Sequence, residues 1–205
     1  MKKKLVPFLF LIASFSFAQV QAQTSNKDVN PFRIGLKIGT PNAVGGAIEW
    51  VTPLFDDRFA LFFDYSGINV SSEDDIEANF KYAEFGTNIY FKNTGKGLYA
   101  GLGYGKMDFK GTYFDAVTVG GELFEGDAHG RLDVDTFNVK LGARLGNKFY
   151  FRTEIGYGFG SIPDEVIITG TVNGETRTGV EEIPDVPGIS ENGYPLFNIG
   201  FGFAF

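Results

Sequence analysis

The chain of 205 residues contains no cysteine. Disulfides, thiolate metal sites, a cysteine nucleophile and a lipidated cysteine are all excluded. It has a single histidine, His129, too few for a multi-histidine zinc centre. It also lacks a positive balance, with 18 Lys+Arg against 25 Asp+Glu and a formal net charge of −7. A nucleic-acid partner needs a basic face to meet phosphate, so none is expected. After residue 18 no apolar run is long enough to cross a membrane as a helix. Glycine, by contrast, is abundant at 28 residues, and so are aromatics, with 23 Phe, 9 Tyr and 1 Trp. At 43% the apolar content is too high for a disordered chain.

The first residues have the layout of an export signal. Met1-Lys2-Lys3-Lys4 is a positive start, Leu5 to Ala18 is an apolar stretch, and Val20-Gln21-Ala22 fits the small-x-small cleavage rule. The expected division is a signal peptide over 1–22, a short periplasmic segment over 23–30 and one domain over 31–205. Removing the three lysines takes the net charge from −7 to −10.

Beyond residue 30 the period is two, the signature of strands. Phe32, Ile34, Leu36 and Ile38 alternate with Arg33, Gly35, Lys37 and Gly39. Phe149, Phe151, Thr153, Ile155, Tyr157 and Phe159 alternate with Tyr150, Arg152, Glu154, Gly156, Gly158 and Gly160. The spacing predicts eight strands, over 32–39, 44–52, 59–68, 80–91, 98–109, 132–146, 149–160 and 197–205. Short turns at 55–58, 92–97 and 146–148 alternate with long polar loops at 69–79, 111–131 and 161–195. The exception is a tight hairpin around Thr40-Pro41-Asn42. This points to an all-β fold, an eight-stranded antiparallel up-and-down transmembrane β-barrel.

The face opposite the large apolar residues is too poor in charge to meet water, so the phenylalanines are expected to point outward into lipid. The charged residues then point inward. Arg33, Lys37, Lys140, Arg144 and Arg152 face Glu49, Asp64, Glu84 and Glu154, close to balance. Buried charges persist when paired and hydrogen-bonded. The expectation is a plugged lumen stitched by ion pairs, since eight strands leave room only for side chains. The alternative is a small ion or solute channel. Aromatics near the strand ends read as two girdles: Phe32, Trp50, Phe55, Phe59, Phe91, Tyr99, Phe149 and Phe205 on one rim, and Tyr65, Tyr82, Tyr104, Phe159 and Phe197 on the other.

On these residues the chain resembles the small eight-stranded outer-membrane barrels of the OmpX type and the transmembrane part of OmpA. The sharpest element is the last strand, where Phe197, Ile199, Phe201, Phe203 and Phe205 alternate. The resemblance implies that these five are the signal read by the barrel-assembly machinery. It also implies residence in the outer membrane of a Gram-negative bacterium, in contact with outer-membrane lipid and lipopolysaccharide. Fold alone does not carry a function across.

Counted over 69–79, 111–133 and 161–194, the long loops carry 16 acids and two bases. They suit a solvated surface or an extracellular protein partner meeting loops 111–131 and 161–195. No Asp-x-Asp-x-Asp-Gly run is present, so no dedicated calcium or other metal site is expected. Val166–Val172, Asn173-Gly174 and Glu175–Val180 form a hairpin cue within the last loop. His129 has no serine near it in sequence, and Gly101-Leu102-Gly103-Tyr104-Gly105 lacks the helix and lysine of a phosphate loop. No catalytic residue and no cofactor are expected. The reading is a non-enzymatic surface protein, with a lipid-active enzyme or a soluble lipocalin-like barrel as alternatives.

Overall fold

The computed structural model describes residues 29–71, 76–113, 117–119, 122–124, 127–172, 175–182 and 189–205. The expected signal peptide and most of the segment after it lie outside the described residues. So do Glu73, Asp74, Asp75, Asp115, Glu125 and Asp185 of the acidic loops.

Twelve strands and no helix occur among the described residues. They are β1 (Phe32–Thr40), β2 (Ala43–Val51), β3 (Phe59–Ser71), β4 (Ile76–Tyr90), β5 (Gly97–Tyr113), β6 (Val117–Val119), β7 (Glu122–Phe124), β8 (Ala128–Gly146), β9 (Phe149–Phe159), β10 (Glu165–Val172), β11 (Glu175–Glu182) and β12 (Gly193–Ala204). Eight of them close a barrel in the order β8-β5-β4-β3-β2-β1-β12-β9, with every neighbour antiparallel. Closure comes from β8 against β9, from Phe137↔Phe159 to Gly146↔Tyr150. Where the ladder closes on itself it leaves no edge.

The walls outrun the lengths expected from sequence at the long-loop end. β3 and β4 stay paired out to Ser71↔Glu77, and β5 and β8 out to Tyr113↔Ala128. Much of what reads as polar loop is therefore wall, because an antiparallel pair satisfies its backbone whatever its side chains are. β12 begins four residues before Phe197 and contains Pro195. Proline is tolerated there because β1 ends at Thr40↔Phe197, leaving β12 an edge strand above that point. The hairpin cue at Asn173-Gly174 falls between β10 and β11, which pair with each other. β10 also joins β8 through Ile168↔Gly130 and Thr169↔His129, widening the wall at that end.

Side chains alternate strictly, but the polarity of the two faces reverses along the barrel axis. β8 displays it best. From the short-turn end its outward residues are Leu145, Ala143, Leu141, Val139 and Phe137, then Asp135, Asp133, Arg131 and His129. Its inward residues are Arg144, Gly142, Lys140, Asn138 and Thr136, then Val134, Leu132, Gly130 and Ala128. On the neighbouring β5, outward Leu98, Ala100, Leu102 and Tyr104 give way to Lys106, Asp108 and Lys110. We call these two portions the turn half and the loop half.

Candidate functional site: the charged barrel interior

All nine charged residues expected inside the barrel are buried there: Arg33, Lys37, Glu49, Asp64, Glu84, Lys140, Arg144, Arg152 and Glu154. Each stands on the inward parity of its strand, and glycine makes the room. Lys37 lies between Gly45 and Gly200, and Lys140 between Gly101 and Gly156, on the neighbouring strands. The glycines of the Gly101–Gly105 stretch face inward as spacers: a Cβ on Gly103 would meet Glu84 Oε1 at 2.4 Å.

Eight of the nine form one connected chain. Arg33 and Arg152 both bond Glu49, one to each carboxylate oxygen. Arg152 lies 3.9 Å from Glu154, and Lys37 bridges Glu154 at 2.7 Å to Asp64. Lys140 lies 2.9 Å from Glu84 and 4.0 Å from Glu154. Four cations therefore meet four anions. Asp64 and Glu84 sit directly opposite each other on β3 and β4, an unfavourable like-charge pair that Lys37 and Lys140 offset from either side.

Arg144 is the exception. Its guanidinium donates to the carbonyls of Gly95 at 3.4 Å and Asn147 at 3.0 Å, and packs on the Tyr150 ring at 4.7 Å. Arg33 also donates to Gly95. The β4–β5 turn thus tucks a carbonyl under the short-turn end of the lumen. Gly95 is required there: its φ is +55°, and a Cβ would lie 2.8 Å from the Arg33 guanidinium.

Neutral donors join the network. Asn88 donates to Glu49 at 2.7 Å, Tyr90 to Glu49 at 2.9 Å, and Tyr99 to Glu154 at 2.6 Å. Tyr82 donates to Glu84 at 3.2 Å and accepts from Asn138 at 2.8 Å. Phe62 lies beneath Lys140, 4.2 Å from its ammonium. These aromatics correct the girdle assignment. Tyr82 and Tyr99 are fully buried inside, not at the rims. Tyr99 shares its parity with Gly101, Gly103 and Gly105, so the alternation already marked it as inward. The outward aromatics include Phe32 stacked with Trp50 at 6.2 Å and Phe149 against Phe203 at 5.5 Å.

Above the charged layer the interior turns apolar. Val134, Tyr194 and Leu196 are buried together, with Met107, Leu132 and Ile162 packed on them. At the opposite end Val51, Ala60, Tyr90 and Tyr99 form a base, covered by Val29. Phe197, Ile199, Phe201, Phe203 and Phe205 all point outward. His129 is outward, with Nδ1 3.1 Å from Thr112 Oγ1, while Ser190 bonds Tyr157 and the Gly193 carbonyl. All the acids of the long loops whose side chains are described are exposed, among them Glu77, Asp127, Asp164, Glu165, Glu175 and Glu191.

No family model and no curated protein matches the chain. Among solved structures it is similar to the CarO protein of Acinetobacter baumannii, at 14% identity and a TM-score of 0.48, over 88% of this chain and all of that one.

Proposed function

We propose that the protein is an integral outer-membrane barrel without enzymatic activity, its lumen closed by the ion-paired network and its loop half standing outside the cell. The observation that carries this reading is the turn half itself. Its outer surface is a continuous belt of Ile, Leu, Val and Phe on all eight wall strands, while Lys37, Asp64, Glu84, Lys140 and Glu154 are sealed inside. An apolar surface of this extent is untenable in water and suited to hydrocarbon. On β8 the outward apolar stretch from Phe137 to Leu145 spans nine residues, the length a tilted strand needs to cross a bilayer. A closed barrel also satisfies every backbone group, as lipid requires.

On this reading both ends of the wall, β1 and β12, start and finish at the periplasmic rim. The outward row from Phe197 to Phe205 contacts lipid and serves as the surface presented to the assembly machinery. The acidic loops and the charged exterior of the loop half provide contact with lipopolysaccharide, through its cations, or with a protein partner. The network supports a plug over a channel, since four cations and four anions already pair with one another across the lumen.

Two experiments test the proposal. Expressed with residues 1–30, the protein is expected in the outer-membrane fraction, migrating faster on SDS gels before boiling than after. In planar bilayers it is expected to show no stable single-channel current. A soluble product without a mobility shift overturns the membrane reading, and a reproducible ohmic conductance overturns the plug.

A further inference from the structure

The loop half contains a cavity of about 290 Å³ that no feature of the plug uses. Its lining comes from β4, β5, β8, β10 and β11, which curl around it as one sheet. Along one row of that sheet Ala78, Gly111, Gly130 and Ile168 are successive neighbours, so a floor of small residues meets one larger one. Phe109, Tyr113 and Leu132 raise the walls, and Val166 lies beside Ile168. Nearly all of this lining is hydrocarbon, yet it stands in the half of the barrel whose outside is charged. The polar contribution comes from Glu181 and Glu182 at the end of β11. Glu181 stands opposite Val166 on the inward parity, while Glu182, opposite Glu165, follows at the outer edge. On the adjoining β8, Arg131 faces outward and is held 2.7 Å from both Asp108 and Asp133.

We infer that this cup binds a small amphipathic cation, its apolar body against Phe109, Leu132 and Ile168 and its positive group at the Glu181–Glu182 rim. The volume is close to the lower end of small-molecule sites, which pair an apolar lining with few polar groups. Gly111 and Gly130 leave the space that a side chain would otherwise fill. A Cβ on Gly111 meets nothing nearer than the Phe109 ring at 3.8 Å. The inference rests on the folded loop half and not on the plug, so a conducting barrel and an empty cup are separate failures.

The test uses the whole protein in lipid nanodiscs and three soluble probes of one shape: 4-phenylbutylammonium, 4-phenylbutanol and 4-phenylbutanoate. Binding is read by calorimetry against empty nanodiscs. The ammonium is expected to bind about tenfold more tightly than the alcohol, as one to two partly screened charge contacts provide, and the carboxylate more weakly than either. Glu181→Gln with Glu182→Gln is expected to reduce the ammonium to the affinity of the alcohol. Gly111→Leu fills the floor and is expected to abolish binding of all three, with the heat-sensitive gel mobility retained as the mark of a folded barrel. Equal binding of cation and anion overturns the charge assignment. Binding unchanged by Gly111→Leu in a folded barrel, or no saturable binding by any probe, overturns the site.

Discussion

The turn half is built from all eight wall strands and the loop half from the prolonged ends of β3, β4, β5 and β8 with β10 and β11 added, and their polarity is opposite. β8 passes through both without a break. Its outward face is Leu145 to Phe137 in one and Asp135 to His129 in the other, while its inward face goes from Arg144 and Lys140 to Val134 and Leu132. Strand geometry is indifferent to this exchange, because period two only sorts residues between faces. What differs is the surroundings each face is matched to. The turn half is apolar outside and charged inside, and the loop half is charged outside with apolar side chains such as Val134 and Leu132 turned inward. The crossover falls where outward Tyr104 and Phe137, direct partners on β5 and β8, meet outward Lys106 and Asp135 one pair further on.

The largest effect in a contrast of the halves is expected from the network. Glu49 takes bonds from Arg33, Arg152, Asn88 and Tyr90, so Glu49→Ala strands two buried guanidiniums. A loss of about 3–5 kcal/mol is expected in urea unfolding from liposomes. A loss below about 0.5 kcal/mol would show that the pairs are not sealed from water.

Outward substitution distinguishes the halves next. Ile199→Arg places a charge on the turn half's apolar belt and is expected to cost about 2–4 kcal/mol. Thr112→Arg, outward in the loop half, is expected to stay within about 0.5 kcal/mol of the parent by the same assay. Equal costs at the two positions would remove the distinction between the halves.

Packing inside the turn half gives a smaller change. A Cβ on Gly142 would stand 2.3 Å from the Tyr99 ring, so Gly142→Ala is expected to cost about 1–3 kcal/mol. Outward Gly46 has nothing within 4 Å, and Gly46→Ala is expected to be neutral or slightly stabilising.

The smallest effect belongs to the loop half's surface. The Arg131 guanidinium beside Asp133 holds its carboxyl below the usual carboxylate range, chiefly through their hydrogen bond. A lowered folded value means the contribution to stability is present at neutral pH and fades as pH falls through that value. Arg131→Ala is expected to move the Asp133 titration upward in NMR, with little change in stability.

The sequence alone revealed the turn half almost completely. Alternation of large apolar with small or charged residues puts Arg33, Lys37, Glu49 and the other six on one parity, and that parity is the buried one. Tyr82 and Tyr99 depart from the rim placement that their aromatic character suggests, because both stand in phase with inward neighbours, Glu84 and Gly101. The separation of Arg144 from the other charges was not legible, since it depends on the Gly95 carbonyl reaching under the barrel. The loop half looks like loops in the sequence for a different reason. Its apolar residues, such as Ile68, Phe80 and Leu132, are on the opposite parity from those of the turn half, so the running pattern breaks at the crossover and looks like the end of a strand.

The polarity crossover can be read directly on β8, and the absence of native cysteine makes the scan clean. Single cysteines at the outward positions 129, 131, 133, 135, 137, 139, 141, 143 and 145, each carrying a nitroxide, are measured in liposomes for collision with oxygen and with a water-soluble nickel chelate. Nickel-dominated relaxation is expected through Asp135, then a switch to oxygen-dominated relaxation from Phe137 to Leu145. Nickel access along the whole row would contradict it, and would mean that the apolar belt does not face lipid.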